Sequence, residues 1–307
     1  YLSKQPNSFR NLTGISVKEF AQLFEQFEPL WEQGEQERLA HPNRKRAIGG
    51  GRPYGLDLRS LVVMTLVWMH LYLTMETVGL LFGVHKSAIS RNTARVLKIL
   101  RQLGENSLWW SEPPTKHMQG RSLNQALADF PDLLSILDVT EITIQRPQDP
   151  VQSQAHFSGK KKAFTRKFGL IVNEQGQIRG ATGSRPGLTH DLTLFRQSGL
   201  LAQLPIQTTK VADKGLEGLE HDLPDHSVAI PHKAHYKHPL GDAEKWANRD
   251  IAVQRIVVEN TICELKHFKV LSDRFRSGWE RLDAAFFSLV GLIIQRIAHR
   301  LVPASLS

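Results

Sequence analysis

The sequence predicts an α/β protein in two parts: a small all-α segment, then a domain built on a mixed sheet. Three observations carry this. Apolar residues recur at helical intervals from Phe20 to Leu100. Strand-type runs joined by short turns begin at Leu133, and helix and strand then alternate. Between the two, Gly104 to Gly120 holds Trp109, Trp110, Pro113 and Pro114 without any period, as a domain boundary does. The expected division is residues 1–115 and 116–307.

Taken in order, Ser16 and Glu19 have capping-box spacing, and Phe20, Phe24, Phe27 and Trp31 follow on one helical face, so a first helix is expected to run to about Trp31. Asn43 to Gly55 is basic and glycine-rich but lacks the G-K-[ST] ending of a phosphate-binding loop. It reads equally as an arm touching DNA phosphates and as a solvated linker. Leu58 to Leu73 is dense in Leu, Val and Met and reads as a buried helix. Thr74 to Phe82, Gly83, and His85 to Leu100 then have the form of a helix-turn-helix. Ile89, Val96 and Leu100 would pack inward, and Lys86, Ser87, Ser90, Arg91 and Arg95 would face a DNA groove or its phosphates. An ordinary helical hairpin with a basic outer face is the competing reading.

In the second part, Arg121 to Ala128 is a possible short helix. Leu133 to Ile144, L-L-S-I-L-D-V-T-E-I-T-I, reads as a strand inside a sheet with Asp138 at its middle. A carboxylate there needs a counter-charge or backbone N–H donors. Ala163 to Asn173 and Gln177 to Ser184 supply two antiparallel neighbours across short connections, Leu192 to Leu204 a helix, and Thr208 to Ala212 a fourth strand ending at Asp213. Ser158 to Lys167 is strongly basic; Lys160, Lys161 and Lys162 fit a phosphate-contacting edge or a lysine-guarded hairpin edge equally well. His232, His235 and His238 lie three apart, but nothing completes a zinc pattern, so a solvated loop is expected. Asp250 to Lys269 is a long helix with Ile251, Val258, Ile262 and Leu265 as its apolar stripe. Arg255, Glu259 and Lys266 project beside that stripe, where an i,i+4 ion pair with a nearby lysine is a usual surface device.

Composition narrows the partner. The chain has 307 residues, with 39 Lys plus Arg against 30 Asp plus Glu and a net charge of +9. The pI of about 9.7 favours a polyanion, nucleic acid before an anionic membrane. No uninterrupted apolar run reaches the roughly 18 residues needed to span a bilayer. Ala284 to Ile294 is broken by Ser288 and Gly291 and reads as core helix. No signal peptide is visible, and the chain opens on Tyr1 rather than Met. One cysteine, Cys263, excludes an internal disulfide and a Cys-rich zinc module, and fits a reducing compartment.

Three carboxylates ask for a common explanation: Asp138 on the first strand, Asp213 at the end of the fourth, Glu259 on the late helix. In a mixed sheet of this order strands one and four are neighbours, so the two aspartates could approach each other at one edge, with the helix supplying the third. Hard oxygen ligands from three elements suit Mg²⁺ or Mn²⁺, and two such ions would clamp the attacking and leaving oxygens of a phosphodiester.

The motifs, in their order, resemble a DDE transposase of the IS5-like group, related to the PIF/Harbinger transposases and their domesticated nucleases. They are I-L-D-V-T-E at Asp138, F-S-G-K-K-K-A-F-T-R-K before the second strand, G-L-T-H-D-L-T-L-F at Asp191, V-A-D-K-G-L-E-G at Asp213, I-P-H-K at Lys233, and R-I-V-V-E-N-T-I-C-E-L-K from Arg255 to Lys266. The last matches the family's R-(3)-E-(6)-K signature; Ala252 stands where many members have tyrosine, and Leu216 where tyrosine is usual. The resemblance also covers the helix-turn-helix segment. It implies an RNase H-like catalytic domain, Asp138, Asp213 and Glu259 as the catalytic, metal-binding triad, and Arg255 and Lys266 on the DNA backbone. Asp191 is a minor alternative to Asp213, and Glu141 and Lys214 are weaker candidates. The implied activity is a transposase that cleaves element ends and joins the 3′-hydroxyl to target DNA, with two Mg²⁺ or Mn²⁺ ions and double-stranded DNA as partner. Joining two ends implies a homodimer or larger assembly. It would work in the cytoplasm at the nucleoid if bacterial, in the nucleus if eukaryotic. A domesticated endonuclease that does not transpose, and a non-catalytic DNA-binding protein on the same scaffold, are the alternatives.

Overall fold

The computed structural model describes residues 4–40, 55–109, 133–234 and 239–301. The basic arm before Gly55, the boundary segment beyond Trp109, the Arg121–Ala128 helix, His235 and His238 lie outside them. By contacts the chain forms two units. One comprises Tyr1–Ser107, Lys266–Asp273 and Ser277–Arg296; the other comprises Leu108–Leu265, Arg274–Arg276 and Ile297–Ser307.

The first unit is helical. A short α1, Pro6–Thr13, was not expected from the sequence; it ends at Gly14, whose φ of 78° lies in the left-handed region. The capping box then starts α2, Val17–Leu39: Glu19 N–H donates to Ser16 Oγ, and Ser16 N–H to the Glu19 carboxylate. Phe20, Phe24, Phe27 and Trp31 form a buried ladder with successive ring centroids 5.9, 6.5 and 5.9 Å apart. The helix outruns the expected end at Trp31 because its last two turns bury little. They are held instead by polar pairs such as Gln33–Glu37 and Arg38–Glu35.

Three helices follow: α3, Leu58–Leu71; α4, Met75–Phe82; and α5, Lys86–Asn106. Asp57 caps α3, Thr74 caps α4, and Gly83 ends α4 at φ 66°. Ile89, Val96 and Leu100 are buried as expected.

The second unit carries the sheet. Its strands are β1, Leu134–Thr143; β2, Phe157–Ser158; β3, Ala163–Val172; β4, Ile178–Ala181; β5, Arg185–Pro186; β6, Thr209–Ala212; and β7, Val228–Ala229. β1 is interior, antiparallel to β3 and parallel to β6. The other edge of β3 is shared by β2, β5 and β4, and β7 continues parallel beyond β6. The order β4-β3-β1-β6-β7 is the mixed sheet expected of an RNase H-like domain. The helices here are α6, Pro150–His156; α7, Asp191–Ser198; α8, Leu219–Asp222; and α9, Asp242–Lys266. One face of the sheet packs Leu137 and Ile171 against Leu192, Leu194 and Phe195 of α7. Gly169 makes room for this: a Cβ there would stand 2.7 Å from the Phe195 ring. α9 starts eight residues before the expected Asp250, through a polar turn that no apolar period announces.

Among the described residues two further helices follow, α10, Lys269–Ser272, and α11, Trp279–Leu301. α11 has the length and composition to cross a membrane, but most of it is buried inside the protein. Leu282, Phe286, Leu289, Val290 and Ile293 are wholly covered, so α11 serves as the core helix expected at Ala284–Ile294.

Candidate active site

Asp138 sits mid-strand in β1. The parallel register pairs Leu137 with Ala212, so the next residue on each strand is an aspartate. β6 stops there, and Asp213 turns into a short 3₁₀ turn, Lys214–Leu216, whose first N–H donates to Asp213 Oδ1 at 2.7 Å. Asp138 Oδ1 accepts from the Val139 N–H at 2.8 Å. Glu259 comes from α9, where Ile251, Val258 and Leu265 are buried and Ile262 is half-buried.

One turn before Glu259, Arg255 reaches all three carboxylates. Its Nη2 lies 3.5 Å from Asp138 Oδ2 and 3.6 Å from Glu259 Oε1, and its Nη1 lies 3.6 Å from Asp213 Oδ1. The environments are graded: the side chains are 16% exposed at Asp138, 42% at Asp213 and 55% at Glu259. Burial pushes the Asp138 carboxyl above its ordinary pKa. The Val139 N–H and Arg255 oppose that rise, while the charges of Asp213 and Glu259 add to it. The Nε of Arg255 is buried without a hydrogen-bond partner.

The structure thus brings together four of the residues singled out from sequence: Asp138, Asp213, Glu259 and Arg255. Lys266 ends the same helix, seven residues beyond Glu259. Asp191 has a different cation: its Oδ1 accepts from Lys167 Nζ at 2.7 Å, and its Oδ2 lies against Gly215. Glu141 accepts from Thr165 Oγ1 at 2.9 Å and lies 3.9 Å from Lys167 Nζ. Lys214 is exposed. Lys167 is a site neighbour that the sequence reading leaves inside the basic run Ser158–Lys167; beside Thr165 and Arg166 it has no signal of its own, and only the β1–β3 register sets it opposite Glu141.

A sequence profile described as "DDE superfamily endonuclease" matches residues 137–293, just over half of the chain and the span that holds all three carboxylates. The chain belongs to the DDE superfamily endonucleases. A second profile, "Helix-turn-helix of DDE superfamily endonuclease", matches residues 54–106, which covers α3 to α5. The chain is also 25% identical over 292 residues to the "Probable transposase for insertion sequence element IS702" of Microchaete diplosiphon, with 94% of each chain covered. No solved structure matches.

Superfamily members use divalent metal ions. The three carboxylates of this DDE endonuclease fit a hard divalent ion by donor chemistry, and the buried Asp138 needs a counter-charge. In the present arrangement the Arg255 guanidinium supplies it. Among the described residues no three His, Cys, Asp or Glu side chains are grouped closely enough to hold a metal ion.

In the helix-turn-helix the expected contact residues differ in setting. Lys86, Ser87 and Arg91 are exposed at the start of α5, with Lys86 3.8 Å from Glu76 and Ser87 Oγ 2.9 Å from His85 Nδ1. Ser90 accepts from Arg281 through its Oγ at 3.2 Å. Arg95 is turned inward: it pairs with Glu35 and stacks 4.5 Å over Trp31. Lys160, Lys161 and Lys162 are exposed in the turn between β2 and β3, where Lys162 has a φ of 48°.

Proposed function

We propose that this chain is a DNA transposase, cutting the ends of a mobile element and joining them to target DNA. The observation that carries the reading is the convergence of Asp138, Asp213 and Glu259, from two neighbouring strands and a helix, on one guanidinium. The 94% coverage by a probable transposase supports the step from endonuclease to transposase.

Asp138, Asp213 and Glu259 would hold the divalent ions, Mg²⁺ or Mn²⁺ and two in number. Bound there, such ions supply Lewis-acid stabilisation of the attacking and leaving oxygens. The reaction balances without a covalent enzyme intermediate. Water attacks the phosphorus and the 3′-oxygen leaves as a hydroxyl. That hydroxyl then attacks a target phosphodiester, so one P–O bond forms as another breaks. The chain's residues orient this chemistry. The most buried carboxylate, Asp138, is fixed by the sheet and the Val139 N–H, whereas Asp213 and Glu259 come from the rim. Arg255 and Lys266 would meet the DNA backbone, as would Lys160, Lys161 and Lys162.

Residues 1–115 would recognise the inverted repeats, through Lys86, Ser87, Ser90 and Arg91 of α5, and residues 116–307 would carry the chemistry. This division of labour differs from the division by contacts, in which 266–273 and 277–296 join the helical unit. Two ends must be joined, so at least two copies would assemble.

The test is Asp138→Ala. Mg²⁺-dependent nicking of DNA should vanish while duplex binding persists, and Glu259→Gln should behave alike. Unchanged nicking overturns the assignment. A strand-transfer assay with a 3′-hydroxyl donor then separates transposase from plain endonuclease.

A further inference from the structure

Arg255 is placed unlike a surface arginine in an i,i+4 pair. Its side chain is 15% exposed, its Nε is buried without a hydrogen-bond partner, and its Nη atoms lie 3.5 to 3.6 Å from oxygens of three carboxylates on three elements. Three carboxylates drawn to one point repel each other, and one is buried. A single planar cation with several donors can face all of them at once; a lysine ammonium, as a point charge, meets fewer. Contacts of 3.5 to 3.6 Å are loose for charge-assisted hydrogen bonds, which close to about 2.7–2.9 Å when geometry is free to settle. The guanidinium is therefore shared among three partners and bonded tightly to none, an arrangement from which it can be displaced.

We propose that Arg255 is a positioning residue acting as an internal counter-cation: it gathers Asp138, Asp213 and Glu259 and competes with divalent ions for their oxygens. This rests on the reading of those three carboxylates as the metal-binding set. Two cations cannot be neutralised by the same oxygens equally well, so ion binding loosens the hold on Arg255, and the freed guanidinium becomes available to a phosphate. Metal affinity without DNA is accordingly weaker than the bare carboxylates would give.

The experiment is calorimetric titration of Mn²⁺ into the full chain without DNA. Arg255→Met is expected to bind Mn²⁺ at least fivefold more tightly than wild type and to melt at a lower temperature without metal. Arg255→Lys, whose ammonium spans fewer of the carboxylates, is expected to fall between the two. If Arg255→Met does not fold, Arg255→Lys alone decides. Affinity equal to or weaker than wild type in the folded variants overturns the inference. Asp138→Asn separates the layers: it should weaken Mn²⁺ binding in every background. Mn²⁺ binding that ignores this substitution would mean that the underlying site assignment, rather than the role of Arg255, is wrong.

Discussion

Lys167 Nζ donates to Asp191 Oδ1 across 2.7 Å, linking β3 to the first residue of α7. The same ammonium donates to the Thr189 carbonyl at 2.9 Å and lies 3.9 Å from Glu141. Asp191 in turn leans on Gly215, where a Cβ would stand 2.8 Å from its Oδ2, two residues beyond Asp213. The link therefore supports the turn that presents Asp213. Lys167→Met should strip a mostly buried carboxylate of its cation, costing about 3 kcal/mol in urea unfolding, the usual scale for breaking one partner of such a pair. It should also slow nicking more than it weakens DNA binding. The double variant Lys167→Met/Asp191→Asn should recover only part of the lost stability, because Asp191 is then neutral while Glu141, 3.9 Å from the lost ammonium, keeps its charge.

The helix-turn-helix residues should separate by what they touch. Arg91 is exposed at the start of α5, so Arg91→Ala should lower duplex affinity and reduce the salt dependence of binding by roughly one phosphate contact, leaving the melting temperature unchanged. Arg95 is held by Glu35 and the Trp31 ring, so Arg95→Ala should cost on the order of 1–2 kcal/mol of stability. Binding titrations at several salt concentrations, with thermal melts alongside, distinguish the two.

That contrast shows where the sequence could and could not be read. Period and register are local, so β1, β3, β6 and the inward face of α5 were legible. The neighbouring strands needed for Asp138 and Asp213 followed from strand order alone, and the register Leu137–Ala212 places them side by side. Arg95 lies on the polar face of α5 by period, and nothing near it in sequence reveals a partner 60 residues earlier. The same holds for α11: its apolar core was readable, but not that residues 277–296 pack with the N-terminal helices. Helix ends whose few apolar residues stay exposed, such as Trp246 in the first turns of α9, carry no inward period, so the sequence does not mark them.

Glycine substitutions should change sign with surroundings. Gly104 of α5 faces α11 so closely that a Cβ would stand 1.9 Å from the Phe287 carbonyl oxygen, and Gly291 would place one 2.7 Å from Gly104 Cα. Gly34, inside α2, has nothing within 4 Å of the same position. Gly34→Ala should stabilise the protein by about 0.5–1 kcal/mol through helix propensity. Gly104→Ala should instead destabilise it by about 1–3 kcal/mol, because backbone rather than a flexible side chain must move. Chemical denaturation of the two variants measures both.

Lys210 sets the last prediction. It lies wholly buried in β6, donating to the Thr208 carbonyl at 2.5 Å and to the Pro205 carbonyl. Burial pushes its pKa down from 10.5 to about 8. Between those values the unfolded chain binds the proton and the folded chain does not, so stability from this group rises with pH. Below about pH 8 both states are charged, and the full cost of burying the ammonium is felt. Above 10.5 that cost is gone, a change on the order of 3 kcal/mol across the window. Other lysines and tyrosines titrate in the same range, so the measurement is a difference: unfolding free energy of wild type minus Lys210→Met, from pH 7 to 10. The difference should climb with pH. A flat difference would mean that Lys210 stays charged in the fold, with its two carbonyl partners offsetting its burial.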